Sequence, residues 1–343
     1  MFLRRKCRTR EQRLLLFMDI GTLPLTLENL TRPSRPLVSV IVISKNEPAL
    51  AHTLEELARQ ASSVASSLVD QVEILVVDAS TDSVADVRAA HSSVHWIPFS
   101  PPAGVRVSIP HQRNRGVREA GGDVIVFTDC GCVPGDGWLA ALLDPILKGK
   151  ERMTCGQTGA TDRLDPYRHM RNQQQGNLYL RECPTINLAF TRDVFEELGG
   201  FDESFEYGSD ADFSWRAVHH GIRIRYVPEA MILHDWGNRG RQLKRSFAYG
   251  KARARLYYKH VFGRSEQSIR KRHFDENDAV PLLYPLYLLG LPLAIRHRWY
   301  LLLLAIPLWR ARKERPLATL VDHFALGAGV LVGSGQILME RKR

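Results

Sequence analysis

The sequence predicts an α/β domain built on a largely parallel sheet, followed by a helical C-terminal region. Three observations carry this expectation. Apolar, β-branched runs at 37–43, 72–77 and 123–127 each stop abruptly at polar residues. Helical patterns separate these runs, the alternation expected of βαβ units. After residue 236 the composition changes, first to a block of cations and then to three apolar stretches.

The chain has 343 residues, 44% apolar and 24% charged, enough for one large domain with appendages or for two domains. A formal net charge of +10 favours an anionic partner. The five cysteines are odd in number and lack framework spacing, which suits a reducing compartment. Residues 1–36 read as a basic, irregular extension closed by Pro33 and Pro36. Its apolar run from Leu14 to Met18 stops at Asp19 without a small-residue cleavage site, so no signal peptide is expected.

The domain itself is expected over 37–236. "LVSVIVI" opens it as a strand covered on both faces, followed by "SKNEP" and a helix from about 49 to 67. "VEILVV" ends in Asp78, and "DVIVF" ends in Thr128 and Asp129. In open α/β sheets ligands sit outside the carboxyl ends of the strands. Asp78, Asp129 and the loop of Asn46 and Glu47 all fall there. One such residue reads equally well as a helix cap or turn former, but three strand ends of the same chemistry suggest a site.

Further on, "TINLAFTRDVFEELGG" predicts a strand, a short helix and a Gly-Gly turn. "SDADFSWRAVHHG" (209–221) predicts a helix with Phe213, Ala217 and His220 on one face. Asp212 and Arg216 form an i, i+4 pair expected on the surface, worth a few tenths of a kcal/mol. Asp210 falls at the helix N-terminus, where the macrodipole favours a carboxylate. "IRIRYVPEAMILHDWG" predicts two short strands and then His234.

The segment 237–280 carries twelve cations and one acid between residues 239 and 272. Leu243, Phe247, Gly250, Ala254, Tyr257 and Val261 recur at helical spacing, predicting an amphipathic helix with a cationic outer face. The region 281–343 holds uncharged stretches of 15 (Pro281–Ile295), 11 (Trp299–Trp309) and 16 residues (Phe324–Met339). Fifteen helical residues span about 22 Å, short of a hydrocarbon core of about 30 Å. The first two stretches therefore read as a helical hairpin lying in one leaflet, turning at Arg296, His297 and Arg298. Trp299, Tyr300 and Trp309 suit the interface, and the neighbouring cations suit anionic headgroups.

Four stretches in order resemble one family: "VSVIVISKNE", "EILVVDASTDS", "RNRGVREAGGDVIVFTDCGCVP" and "GGFDESFEYGSDADFSWR". They are similar to the inverting family 2 glycosyltransferases with the GT-A fold, over about residues 38–236. The resemblance implies a Rossmann-like mixed, mostly parallel sheet flanked by helices. It implies transfer of a hexosyl or deoxyhexosyl group from a nucleotide sugar, with inversion, to a lipid-linked or cell-surface glycan. That places the enzyme in polysaccharide biosynthesis for the cell envelope, membrane-associated at the cytoplasmic face. By position, Asn46, Glu47, Arg113 and Asn114 belong to the donor site, Asp78 to the nucleotide base, and Asp129 to the ribose and diphosphate. Asp210 takes the place of the general base.

The chain departs from the family pattern twice. Gly131 stands where the strand end normally carries a second, metal-contacting Asp. A divalent cation, Mg²⁺ or Mn²⁺, would then be held by Asp129, the diphosphate oxygens and His234. Alternatively a cationic side chain such as Arg113 or Arg239 would replace it. Cys130 and Cys132, one residue apart, have poor zinc spacing. Ser209 stands where the family often has Glu. Both departures support an alternative, a non-catalytic nucleotide-sugar-binding relative that scaffolds a glycan assembly complex. A nucleic-acid partner is not expected, because no aromatic-studded binding motif accompanies the basic block.

Overall fold

The computed structural model describes residues 36–65, 67–161, 176–262, 276–310 and 316–340. The expected N-terminal extension lies outside them except for Pro36, as does the basic segment from 263 to 275.

Nine strands among the described residues form one mixed sheet. They are β1 (Leu37–Ser44), β2 (Gln71–Asp78), β3 (His95–Pro98), β4 (Val124–Asp129), β5 (Cys132–Pro134), β6 (Met153–Ala160), β7 (Tyr179–Leu180), β8 (Leu188–Thr191) and β9 (Ile224–His234). Their order is β3-β2-β1-β4-β8-β6-β9-β5, with β7 paired to β9. The first four run parallel, and β8 enters antiparallel to both β4 and β6. Residues 224–234 form one strand, not the two expected. Pro228 is absorbed at a register shift opposite Gly156 and Gln157, where β6 and β9 stop matching residue for residue.

The β-branched runs are buried on both faces, as a parallel sheet with covering helices requires. Val38, Val40 and Val42 of β1 join one core cluster. It includes Leu50, Leu54 and Leu57 of α1 (Leu50–Val64) and Trp138, Leu139 and Leu142 of α4 (Trp138–Leu147). Ile41 joins the opposite cluster, with Val117 of α3 (Ile109–Glu119) and a group of phenylalanines. Phe127, Phe201 and Phe213 are the centre of that group, with Phe201 stacked on Phe213 at 4.5 Å. Between α1 and α3 lies the short α2 (Ala85–Ala90); after β8 comes α5 (Arg192–Leu198), then α6 (Ser209–His219).

The C-terminal region differs from expectation. The helix α7 (Arg239–Tyr257) is not a free cationic strip. Leu256 and Tyr257 pack with Phe205, Ala211 and Trp215 of the sheet domain. Its other side meets the last long helix. After α8 (Glu276–Gly290), α9 (Leu293–Arg296) and α10 (Ala305–Arg310), α11 runs unbroken from Pro316 to Glu340. A Cβ on Gly250 would collide with the Leu326 carbonyl, and one on Gly329 with the Phe247 carbonyl. Glycine at both places lets α7 and α11 approach backbone to backbone. Arg239 adds an ion pair to Asp322 at 2.6 Å and a bond to the Ala318 carbonyl. Arg239 is thus engaged between helices.

The third apolar stretch was expected to be 16 residues long, but α11 has 25, about 37 Å. It is the one helix among the described residues long and apolar enough to cross a membrane. The turn at Arg296–Arg298 is present: α9 ends there and a 3-10 segment, Arg298–Leu304, begins.

Candidate functional site

Register places the expected strand-end residues together. Ser44 of β1 pairs with Asp78 of β2, and Ile43 pairs with Asp129 of β4. The two carboxylates therefore flank the end of β1 at one level, on the carboxyl edge of the parallel strands. The loop beyond β1 is exposed and carries Asn46 and Glu47. Asn46 adopts a left-handed φ of 56°, tolerable for Asn. Its side-chain oxygen accepts from Thr81 N and from Ser83 Oγ (2.7 Å). Asn46 thus ties the first loop to the turn after β2 and shapes the edge. Asp78 is buried and accepts from Arg88 (2.9 Å) and from Ser80 N (3.0 Å). Arg88 also lies over the Trp96 ring. Sequence reading did not single out this Arg, because nothing local marks its partner ten residues away.

Arg113 and Asn114 separate in role. Asn114 is buried with its amide fully used: Nδ2 donates to the Phe201 carbonyl and to Glu203, and Oδ1 accepts from Phe201 N. It was expected in the donor site, but the structure commits it to fixing the 201–203 turn. Arg113, one residue earlier, points to the sheet edge. It is 6% exposed. Its guanidinium donates to Ser209 Oγ at 3.4 Å and lies 3.8 Å from Asp129 Oδ1. It therefore bridges the end of β4 and the start of α6. Ser209, at the start of α6, is the acceptor for this Arg.

Asp210 begins α6, and its Oδ1 accepts from Ala211 N. Burial raises its carboxyl above the ordinary range; Arg113 and the Ala211 N–H oppose this, and the charges of Glu182 and Asp129 add to it. A carboxylate with raised affinity for a proton fits a general base.

Asp212, two residues on, does something else. It was expected in a surface pair with Arg216, yet it is fully buried and Arg216 nearly so. Its carboxylate takes Arg216 Nε (2.9 Å), Lys259 Nζ (2.6 Å) and His260 Nε2 (2.7 Å). Lys259 and His260 come from the π-helical turn Tyr258–Phe262 that continues α7. Lys259 also holds Asp202 at 2.7 Å. Sequence reading could not see this, since the partners are nearly fifty residues apart and sat in what read as an outer cationic face. Of the three residues expected on one face of α6, Phe213 and Ala217 are buried and His220 is exposed.

The residues at the β4 end test the metal expectation. Gly131 has φ +80°, the left-handed region where an Asp would be strained. A Cβ there would lie 3.5 Å from the His234 ring, so imidazole and strand end face each other. Asp129 and His234 are two suitable donors, and no cluster of three potential ligands exists among the described residues. A dication takes six or more ligands, so these residues fit it only as part of a set that a ligand's oxygens complete. The cysteines do not help. Burial, with Asp129 adding, pushes Cys132 up to about 12, and the same causes raise Cys130. Neither offers a thiolate.

The comparisons with known proteins agree with this architecture. Residues 39–199 match the family model described as Glycosyl transferase family 2. The pre-mycofactocin glycosyltransferase of Mycobacterium tuberculosis is 27% identical over 164 residues, 43% of this chain. That match spans 34% of the relative's own length, about a third. The glycosyltransferase AglE of Haloferax volcanii is 24% identical over 241 residues, covering 65% of this chain and 74% of AglE. Among solved structures, the mannosyltransferase PcManGT from Pyrobaculum calidifontis, in complex with GDP-Man and Mn²⁺, aligns with a TM-score of 0.63. It is 21% identical and covers 88% of each chain, so the GT-A fold is shared.

Asp212 generates a prediction. Burial alone would raise its carboxyl, but the hydrogen bond from His260 and the charges of Arg216 and Lys259 outweigh that and hold it well below the ordinary range. A folded value below the unfolded one gives stability that is present above about pH 4 and is lost as pH falls. Asp212→Asn removes the charge that Arg216, Lys259 and His260 share and is expected to destabilise by about 3–5 kcal/mol. Urea unfolding between pH 3 and 7 checks this: the variant should lose stability at neutral pH and show a flatter acid dependence.

Proposed function

We propose that the family 2 glycosyltransferase domain formed by residues 39–199, completed by α6, transfers a sugar from a nucleotide-sugar donor with inversion. The observation that carries this reading is Arg113, which spans Asp129 and the N-terminus of the Asp210 helix. It ties the diphosphate-side carboxylate, Asp129, to the start of the helix that carries Asp210. In the proposed reaction an acceptor hydroxyl attacks the anomeric carbon from the face opposite the diphosphate. Asp210 takes the hydroxyl proton as the new C–O bond forms, and the electron pair of the breaking bond leaves on the diphosphate. The Arg113 guanidinium faces the charge that develops there. Asp78, with Arg88 and Ser80, forms the far wall on the nucleobase side. Asp129 and His234 would hold a dication together with diphosphate oxygens, and such an ion would supply Lewis-acid neutralisation of the leaving group.

The acceptor proposed is a lipid-linked or surface glycan met at the cytoplasmic face of the membrane. The support is an apolar surface on the C-terminal helices. Leu286, Leu289, Ile295, Trp299, Leu302 and Trp309 are all exposed, Ile295 at 89%. Contiguous exposed apolar side chains beside cations mark a lipid-facing patch, and Arg296 and Arg298 lie within it.

Three outcomes test the reading. A thermal-shift screen of nucleotide sugars should find a donor, which at 100 times its Kd adds about 2.7 kcal/mol. With that donor, Asp210→Asn should abolish transfer while the thermal shift survives. Retained turnover would exclude Asp210 as the base, and absent turnover in the native chain would favour the non-catalytic alternative.

Calorimetric titration of Mn²⁺ should show negligible binding to the free protein and clear binding with nucleoside diphosphate present. Tight binding without nucleotide would reveal a ligand set beyond Asp129 and His234.

Flotation with anionic liposomes addresses location. The native chain should float and stay bound in high salt, because screening leaves apolar insertion intact. The triple variant Ile295→Glu, Trp299→Glu and Leu302→Glu alters exposed positions only and should remain at the bottom of the gradient.

A further inference from the structure

The segment before β8 has no role in the reading above, yet it lies along the base helix. Ser214, one turn after Asp210, accepts from Cys183 N at 3.2 Å, and its Oγ lies 2.8 Å from the Asp210 carbonyl and 3.2 Å from the Cys183 carbonyl. These contacts pin residues 182–183 against the first turns of α6. Glu182 is then gripped from two helices. Trp215 Nε1 of α6 donates to its Oε2 at 3.0 Å. Arg253 of α7 closes a fork on both oxygens, at 2.8 and 2.5 Å, with its guanidinium over the Trp215 ring. Glu182 and Arg253 are each about one-fifth exposed.

We infer that Glu182 is a positioning residue for Asp210: it keeps a second carboxylate against the base helix, and Arg253 of α7 sets how much of its charge the base feels. The inference rests on the reading of Asp210 as base. It also gives α7 a part in the chemistry that its cationic composition does not suggest. A like charge beside a carboxylate favours the protonated form and strengthens it as a base, and the bidentate Arg partly cancels that charge.

The charged groups that face Asp210 can be named by element. Arg113 of α3 lowers its proton affinity, while Asp129 of β4 and Glu182 raise it. Arg253 of α7 reaches it through Glu182. Asp212 on the same helix is committed to Lys259, His260 and Arg216. Removing Glu182's charge and removing Arg253's charge should therefore move Asp210 in opposite directions. A merely structural role for the pair would not produce that sign reversal.

The test needs no substrate. The full-length chain is labelled with carboxyl-¹³C aspartate, and Asp210 is assigned by the signal lost in Asp210→Asn. Its titration is followed by NMR in the native chain, in Glu182→Gln and in Arg253→Met. Glu182→Gln should move the Asp210 titration to lower pH. Arg253→Met, which keeps an apolar stem over Trp215, should move it to higher pH. Thermal unfolding of each variant reports folding. If one variant does not fold, the direction of the other decides: a shift as stated supports the inference, and no shift or the reverse overturns it. An unmoved titration in both, or movement of both the same way, overturns it too. Turnover with the identified donor separates this from the base assignment. An active Asp210→Asn would remove the base reading, whereas unmoved titration with an inactive Asp210→Asn would remove only the role of Glu182. When both hold, the acidic limb of kcat/KM should follow the NMR titration in each variant.

Discussion

A buried carboxylate holds the two parts of this molecule in register. Asp212 has no exposure to solvent and takes Arg216, Lys259 and His260 at once. Taking a lone carboxylate out of water costs several kcal/mol, so Asp212 is tenable only if those partners arrive together. Arg216 belongs to its own helix and reaches on to the Leu198 and Gly200 carbonyls. Lys259 and His260 belong to the end of α7. The charge thus makes the orientation of α6 depend on α7 being docked. Since Asp210 lies two residues earlier, so does the direction of the candidate base.

The sheet supplies the second constraint. Parallel strands of matched length bring their carboxyl ends to one edge, and β1, with Asp78 and Asp129 on either side, is the middle of it. The ends carry charge because the covered faces leave nowhere else for it. The Arg113 side chain meets both this edge and the base helix. It can do so because Gln112 ties the first turn of α3 to the Ser44 and Val77 carbonyls at the strand ends, and Asn114 anchors the 201–203 turn.

Docking α7 changes what its charge means. Taken alone, the segment looks like a strip for binding anions. In place, Arg239 meets Asp322, Lys251 meets Glu206 at 3.8 Å, Arg253 meets Glu182, and Lys259 meets Asp202 and Asp212. Acids scattered through the chain answer cations clustered in one stretch. The exposed apolar residues of 282–309 are left as the more distinctive surface.

Sequence alone determined the α/β class, the strand ends and the residues gathered there. Such features are local: β-branched runs, abrupt polar stops and helical spacing are written within ten residues of one another. It also pointed to Asp210, Asp129 and Arg113, whose neighbours in the chain carry the family resemblance. Three things were decided by tertiary structure. Asp212 and Arg216 went from a surface pair to a buried hub, because burial depends on what packs above a helix. Asn114 went from ligand contact to turn anchor, because its partner turn lies 87 residues away. Arg239, Lys251 and Arg253 of α7 went from a solvent face to ion pairs with acids of other elements, and the last apolar stretch became part of a 25-residue helix beside them. Periodicity records which side of a helix is apolar. It does not record how many neighbours that helix has, and α7 has one on each side.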